Sequence, residues 1–183
     1  MVDFTVIDSD VALRSAAEVW KKCPQLAIDL EMEANLHHYG VHLALVQIAD
    51  YDQVWLVDVL GISDPSPMVK IFSDPKILKV FHDVSFDFRM LQEAWGSTPK
   101  NVFDTKVAAL LAGRSSISLS GLLSEEFGVS KNEKFQKVDW LKRPLQPKML
   151  EYAAGDVVLL LKLKDRLKAD LEEKDRLQWF TQE

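Results

Sequence analysis

Asp29 and Glu31 in "AIDLEME" stand two residues apart, and Tyr152 and Asp156 in "EYAAGDV" stand four apart. On a strand, alternate side chains share a face, so the first pair projects from one side of a sheet. On a helix, residues four apart are stacked one turn above each other, so the phenol and its acid aim at one place. A further acid, Asp87 in "HDVSFDFRML", falls near the start of a helix that directly follows a buried strand. Each group has a plain alternative: a strand end reaching solvent, a half-buried ring with a wet hydroxyl, an acid favoured by a helix dipole. What sets them apart is their company, because each acid sits at an element end or on an otherwise apolar face, where an uncompensated charge is costly. Carboxylates held close repel unless a proton or cation intervenes. Hard oxygen donors without a thiolate select magnesium or manganese over zinc.

The elements that must position these groups can be read along the chain. A short strand spans Phe4 to Ile7, and "DSDVALRSAAEVWKKC" forms a helix entered through an Asp or Ser cap. The segments "QLAIDLEME", "HLALVQIAD" and "QVWLVDV" read as three successive strands, hence an antiparallel meander. Helix "SDPSPMVKIFSD", strand "KILKVFH", helix "VSFDFRMLQEAWG", strand "NVFD" and helices "DTKVAALLAG" and "SLSGLLSEEFG" follow. A meander followed by alternating strands and helices implies an α/β fold, a mixed sheet with helices on its faces. The helix from Met149 to Leu163 and a charged helix through "LKDRLKADLEEKDRLQWF" complete the chain. Asp83 and Asp104 are expected to cap helices, and His37, His38 and His42 to be polar loop and strand-start groups rather than a zinc site. No phosphate-cradling loop is present, since "GRSSISLSG" lacks the Gly-Lys-Ser/Thr tail and follows no strand.

The 183 residues are 48% hydrophobic and 27% charged, which suits one domain spanning 1–183 with a real core. The single cysteine, Cys23, is expected to pack as a small apolar side chain in a reducing compartment. "MVDFTVIDSD" does not resemble a signal peptide, and no apolar run is long enough for a bilayer span, so a cytoplasmic protein is expected. A net charge of −6 argues against holding nucleic acid by bulk electrostatics, although carboxylates that bind cations count as acidic while their metals reverse the local sign. The charge is uneven: from Lys131 to Lys148 six cations face two acids in the longest segment without periodicity. Irregular pieces of that length are often functional.

Taken together, Asp29-x-Glu31, "HDVSFD" ending in Asp87, and Tyr152-x-x-x-Asp156 resemble the three motifs of the DEDDy group of 3′-to-5′ exonucleases, most closely the ribonuclease D family, which has similar text in "DWLKRPL" and "EYAAGDV". The similarity runs from about Phe4 to the terminal helix. It implies a ribonuclease-H-like α/β fold with a mixed five-stranded sheet flanked by helices. It also implies two divalent metal ions, Mg2+ or Mn2+, and release of nucleoside 5′-monophosphates from the 3′ end of single-stranded RNA. By motif, Asp29 bridges both ions, Glu31 and Asp156 complete the first, Asp87 serves the second, and Tyr152 orients the attacking water. The helical HRDC domains of ribonuclease D are not expected within these residues, so substrate holding falls to His82 and to Lys134, Gln136, Lys142 and Arg143 of the basic loop, with Trp140 packed beneath. The alternatives are a 3′-to-5′ DNA exonuclease with the same site, short oligonucleotides as substrate, or an inactive nucleic-acid-binding module on this fold.

Overall fold

The apolar alternation of the predicted meander builds the centre of a six-stranded sheet. In a computed structural model that describes residues 2–130 and 133–181, the strands are β1 (Thr5–Ile7), β2 (Gln25–Ala34), β3 (Val41–Ala49), β4 (Val54–Asp58), β5 (Leu78–Phe81) and β6 (Val102–Asp104), in the order β1-β4-β3-β2-β5-β6. β2, β3 and β4 are antiparallel, whereas β1 joins β4, β5 joins β2 and β6 joins β5 in parallel. The family resemblance implies five strands. The sixth is the three-residue edge strand β1, registered from Thr5 opposite Trp55 to Ile7 opposite Val57.

Alternation along β2 and β3 divides the interior into two layers. Leu26, Ile28, Leu30, Val46 and Ile48 pack with α1 (Asp10–Trp20), α2 (Ser66–Ser73) and α3 (Ser85–Trp95). Ala27, Leu45 and Ala49 face the opposite way, toward α4 (Thr105–Ala112), α5 (Leu119–Phe127), α6 (Pro147–Val157) and α7 (Leu160–Glu173). Asp29 and Glu31 follow Ala27 at intervals of two and therefore emerge on the α6 side.

Local signals set most helix ends. Ser9 and Ser118 cap α1 and α5 by accepting from Ala12 N and Gly121 N, and Gly96 and Gly128 end α3 and α5 in the left-handed region at φ 64° and 66°. Two expected helices are interrupted. The helix expected from Met149 to Leu163 ends at Val157, and α7 begins at Leu160 after Leu159 at φ −110°, ψ 0°. "VVLLLKL" is apolar but for Lys162, so its periodicity carries no mark of the break. Asp175, at φ 54°, then separates α7 from the short α8 (Leu177–Phe180). Cys23 is half-buried against the first layer, and burial together with nearby Asp50 pushes its thiol pKa up, which suits the expected packing role. Among the described residues no helix is long and apolar enough to cross a membrane.

Candidate active site

β2 delivers two carboxylates and α6 a third. Pro147 begins α6 and sets its first turn, and the helix packs across β2, β3 and β4. One carboxylate oxygen from each of Asp29, Glu31 and Asp156 lies within 4.8 Å of the others, and Asp156 is 2% exposed. Three hard anionic donors so close together fit one divalent cation. Asp87, in the first turn of α3, is 7% exposed. Burial pushes its carboxyl up to about 8, and the charge on Asp29 is the next cause, so the fourth acid senses the cluster directly. Of the four acids that the sequence singles out, the fold brings Asp29, Glu31 and Asp156 to one point and sets Asp87 within electrostatic reach of Asp29.

Tyr152 sits half-buried one turn before Asp156, with its ring 5.7 Å from that of Phe135 and 6.3 Å from that of Trp140 between centroids. Trp140 is buried beneath the loop as expected, at 1% exposure. Tyr152, Asp29, Glu31 and Asp156 border a cavity of about 460 Å³, with His82 and Gln136 on its other walls. His82 is oriented from behind: its Nδ1 lies 2.9 Å from Thr105 Oγ1, which donates to Phe81 O at 2.9 Å.

The basic loop differs from expectation at Arg143. Its guanidinium donates to both carboxylate oxygens of Asp58, at 2.7 and 2.6 Å, and to the carbonyls of Trp140, at 2.6 Å, and Ala44, at 3.1 Å. It therefore braces the loop onto β4 and β3, because a planar fork matched to a carboxylate is already committed. Lys134 and Lys142 remain on the exposed surface, and Lys131 lies outside the described residues. Asp83 also differs. It adopts φ 65° and caps nothing; α3 begins at Ser85 after Val84, which makes no side-chain cap, and Asp83 Oδ2 instead meets Lys106 Nζ at 2.6 Å on the cavity wall. Asp104 does cap α4, and it additionally accepts from the amides of Asp83 at 3.0 Å and Val84 at 2.9 Å, holding the entry to α3.

Lys106 is a charged cavity residue that sequence reasoning missed. A signal was present, since a cation in the first turn of a helix opposes the dipole and calls for a local reason. Glu33, Leu36 and the histidines build the turn between β2 and β3. Glu33, 1% exposed, accepts from the amides of Leu36, His37 and His38 at 2.5, 2.7 and 3.3 Å, and its other oxygen lies 2.9 Å from His37 Nδ1. Burial works to raise its pKa, but those hydrogen bonds prevail and hold it at about 2. His38 Nε2 ties the same turn to Asp139 Oδ2 at 3.1 Å. Glu33, His37 and Asp139 do bring three possible ligand atoms within 4.8 Å of one another, yet hydrogen bonds within the turn and loop already engage these groups, in line with polar loop roles for the histidines.

A mixed sheet whose two carboxylates meet an acid and a tyrosine of the helix packed on it defines an exonuclease domain of ribonuclease-H-like fold. Residues 4–172 match the 3′-5′ exonuclease family, and the chain belongs to it. Escherichia coli ribonuclease D is 34% identical over 172 residues, covering 93% of this chain and 46% of its own. The crystal structure of that exoribonuclease involved in structured RNA processing superposes with a TM-score of 0.91 at 32% identity, covering 98% of this chain and 48% of that one. The catalytic core of RRP6 from Trypanosoma brucei gives 0.93 at 31% identity, covering 100% and 50%. Brucella melitensis NrnC with bound Mg2+ gives 0.82 at 29% identity, covering 98% and 86%, and NrnC bound to pGG gives 0.79 at 29%, covering 97% and 87%. The chain spans about half the length of the ribonuclease D sequences it matches.

Proposed function

We propose that this domain hydrolyses single-stranded RNA from its 3′ end and releases nucleoside 5′-monophosphates with the help of two divalent cations, Mg2+ or Mn2+. The observation that carries the reading is the meeting of Asp29, Glu31 and Asp156 oxygens within 4.8 Å, with buried Asp87 feeling the charge of Asp29. Asp29 would contribute to two sets of ligands, one for each cation. Glu31 and Asp156 complete the first set, and Asp87 completes the second. When bound, the pair supplies a strong nucleophile at neutral pH and charge stabilisation at phosphorus and the leaving oxygen. Tyr152, one turn from Asp156 on the same helix face, orients the attacking water with its hydroxyl. Lys106, on the wall of the same cavity, contacts a substrate phosphate, a task that the basic loop loses at Arg143. His82 and Gln136 border the terminal nucleotide, and Lys134 and Lys142 lie on the approach for longer strands.

The relatives support RNA as substrate, ribonuclease D being an exoribonuclease. The NrnC complex with pGG supports very short fragments as a second reading within the same chemistry, and this chain covers 87% of that protein. Digestion of 3′- and 5′-labelled RNA and DNA, from dinucleotides upward, with Mg2+, Mn2+ or EDTA tests both. Stepwise shortening of 5′-labelled RNA, immediate mononucleotide release from the 3′ label and no turnover in EDTA are expected. Undiminished activity in EDTA or cleavage of circular strands refutes the proposal. A faster rate on DNA reassigns the substrate, because the 2′-hydroxyl is the local difference at a terminal nucleotide.

A further inference from the structure

Gln47, on β3, is fully buried, and neither its amide nitrogen nor its amide oxygen has a hydrogen-bond partner. Its neighbours along the same face, Leu45 and Ala49, are buried and apolar, as is Leu56 opposite it on β4. An amide in such a setting is costly unless it is bonded, and a leucine would fill the position without that cost. On its other side the residue directly opposite is Asp29 of β2. Cross-strand partners on one face bring their side chains side by side, so the amide lies within reach of the Asp29 carboxylate.

We infer that Gln47 is a positioning residue for Asp29: its side-chain amide donates to the Asp29 carboxylate when that carboxylate turns to bind divalent cation, and fixes its rotamer. The inference rests on the metal-dependent reading above. The residue type suits the task, because an amide orients an oxygen without adding charge. A lysine in its place would compete with the cation for the carboxylate, and an apolar side chain would offer it no hydrogen bond. Ligand carboxylates are commonly oriented in this way, and loss of such a partner typically weakens metal binding 10- to 100-fold.

The test is titration of Mn2+ into the metal-stripped full chain, followed by calorimetry, for the wild type, Gln47→Leu and Gln47→Met. Both variants are expected to fold in EDTA with a melting temperature at or above that of the wild type, since the amide makes no bond there. Both are expected to bind Mn2+ about 10- to 100-fold more weakly, with the Mn2+ dependence of any nuclease activity displaced to higher concentration by the same factor. A role in packing alone would move the melting temperature and leave the Mn2+ curve in place. Wild-type affinity in either folded variant overturns the inference and leaves the metal-dependent reading standing, as does failure of both variants to fold. A wild-type chain that binds no Mn2+ overturns both.

Discussion

Replacing Arg143 by lysine separates a brace from a substrate contact. The guanidinium makes a two-pronged pair with Asp58, at 2.7 and 2.6 Å, a bond to Ala44 O that joins the loop to β3, and a bond to Trp140 O within the loop. The Arg143 and Asp58 side chains are 25% and 18% exposed, so their attraction is screened less than at the surface and more than in a core. Hydrogen bonds to charged groups contribute about 1.5–3 kcal/mol each, and breaking a fully buried pair costs about 3–5 kcal/mol. Discounting for partial exposure, Arg143→Ala should cost ~3 kcal/mol. Lysine keeps the charge but offers a single point of contact, so Arg143→Lys should still cost ~2 kcal/mol, a fall in melting temperature of roughly 4–8 °C for a chain of this size. Urea unfolding of the single variants, Asp58→Asn and the double variants measures the coupling, which should exceed ~1 kcal/mol. RNA affinity of the folded Arg143→Lys protein should be unchanged. Wild-type stability together with weakened RNA binding would refute the brace and return the guanidinium to the substrate.

Tyr152→Phe keeps the ring packing against Phe135 and Trp140, so it should stay within ~1 kcal/mol of wild-type stability and lose on the order of 10²-fold in rate; Asp156→Asn should lose more, and full activity in both at saturating Mg2+ would remove these residues from the site. Asp87 has its folded pKa raised to about 8 from an ordinary 3.8, so between those values the folded apo protein binds the extra proton. Its stability in EDTA should therefore fall as pH rises from about 4 to about 8, and Asp87→Asn should flatten that slope in a melting series. Mg2+ binding below about pH 8 should also release protons, measurable by calorimetry in buffers of different ionisation enthalpy. Gly155, within α6, has open space where a Cβ would stand, so Gly155→Ala should raise stability by about 0.5–1 kcal/mol in urea unfolding with activity intact. Lys106→Met should lower the salt dependence of RNA binding by about 0.7 in log–log slope, the value of one single-strand phosphate contact, and an unchanged slope would take Lys106 off the phosphate.

The pairs Asp29 with Glu31 and Tyr152 with Asp156 were legible because each lies within one element, where a fixed period decides which side chains share a face. Asp87 was legible as a candidate, but its nearness to Asp29 depends on β5 lying beside β2. What the sequence hid depends on partners far along the chain. Arg143 read as one more cation in a basic loop, since its partner Asp58 is 85 positions away. Gln47 drew no reading from the sequence, because only the pairing of β2 with β3 puts it opposite Asp29. Asp83 read as a cap because acids before helices usually are; the role passed to Asp104, which reaches the amides before α3 from the start of α4.

Glu33 anchors the turn between β2 and β3 from within, drawing three amides and an imidazole onto its carboxylate. The residues at the tip are thereby relieved of structural duty: Leu36 is 58% exposed and Tyr39 97%. Such a tip is open to evolutionary drift, because substitutions there leave the backbone's anchoring untouched. It is equally open to the experimenter. An affinity tag or fluorophore grafted at Tyr39 should be carried by a turn whose shape is fixed from within, outside the cavity that the carboxylates border.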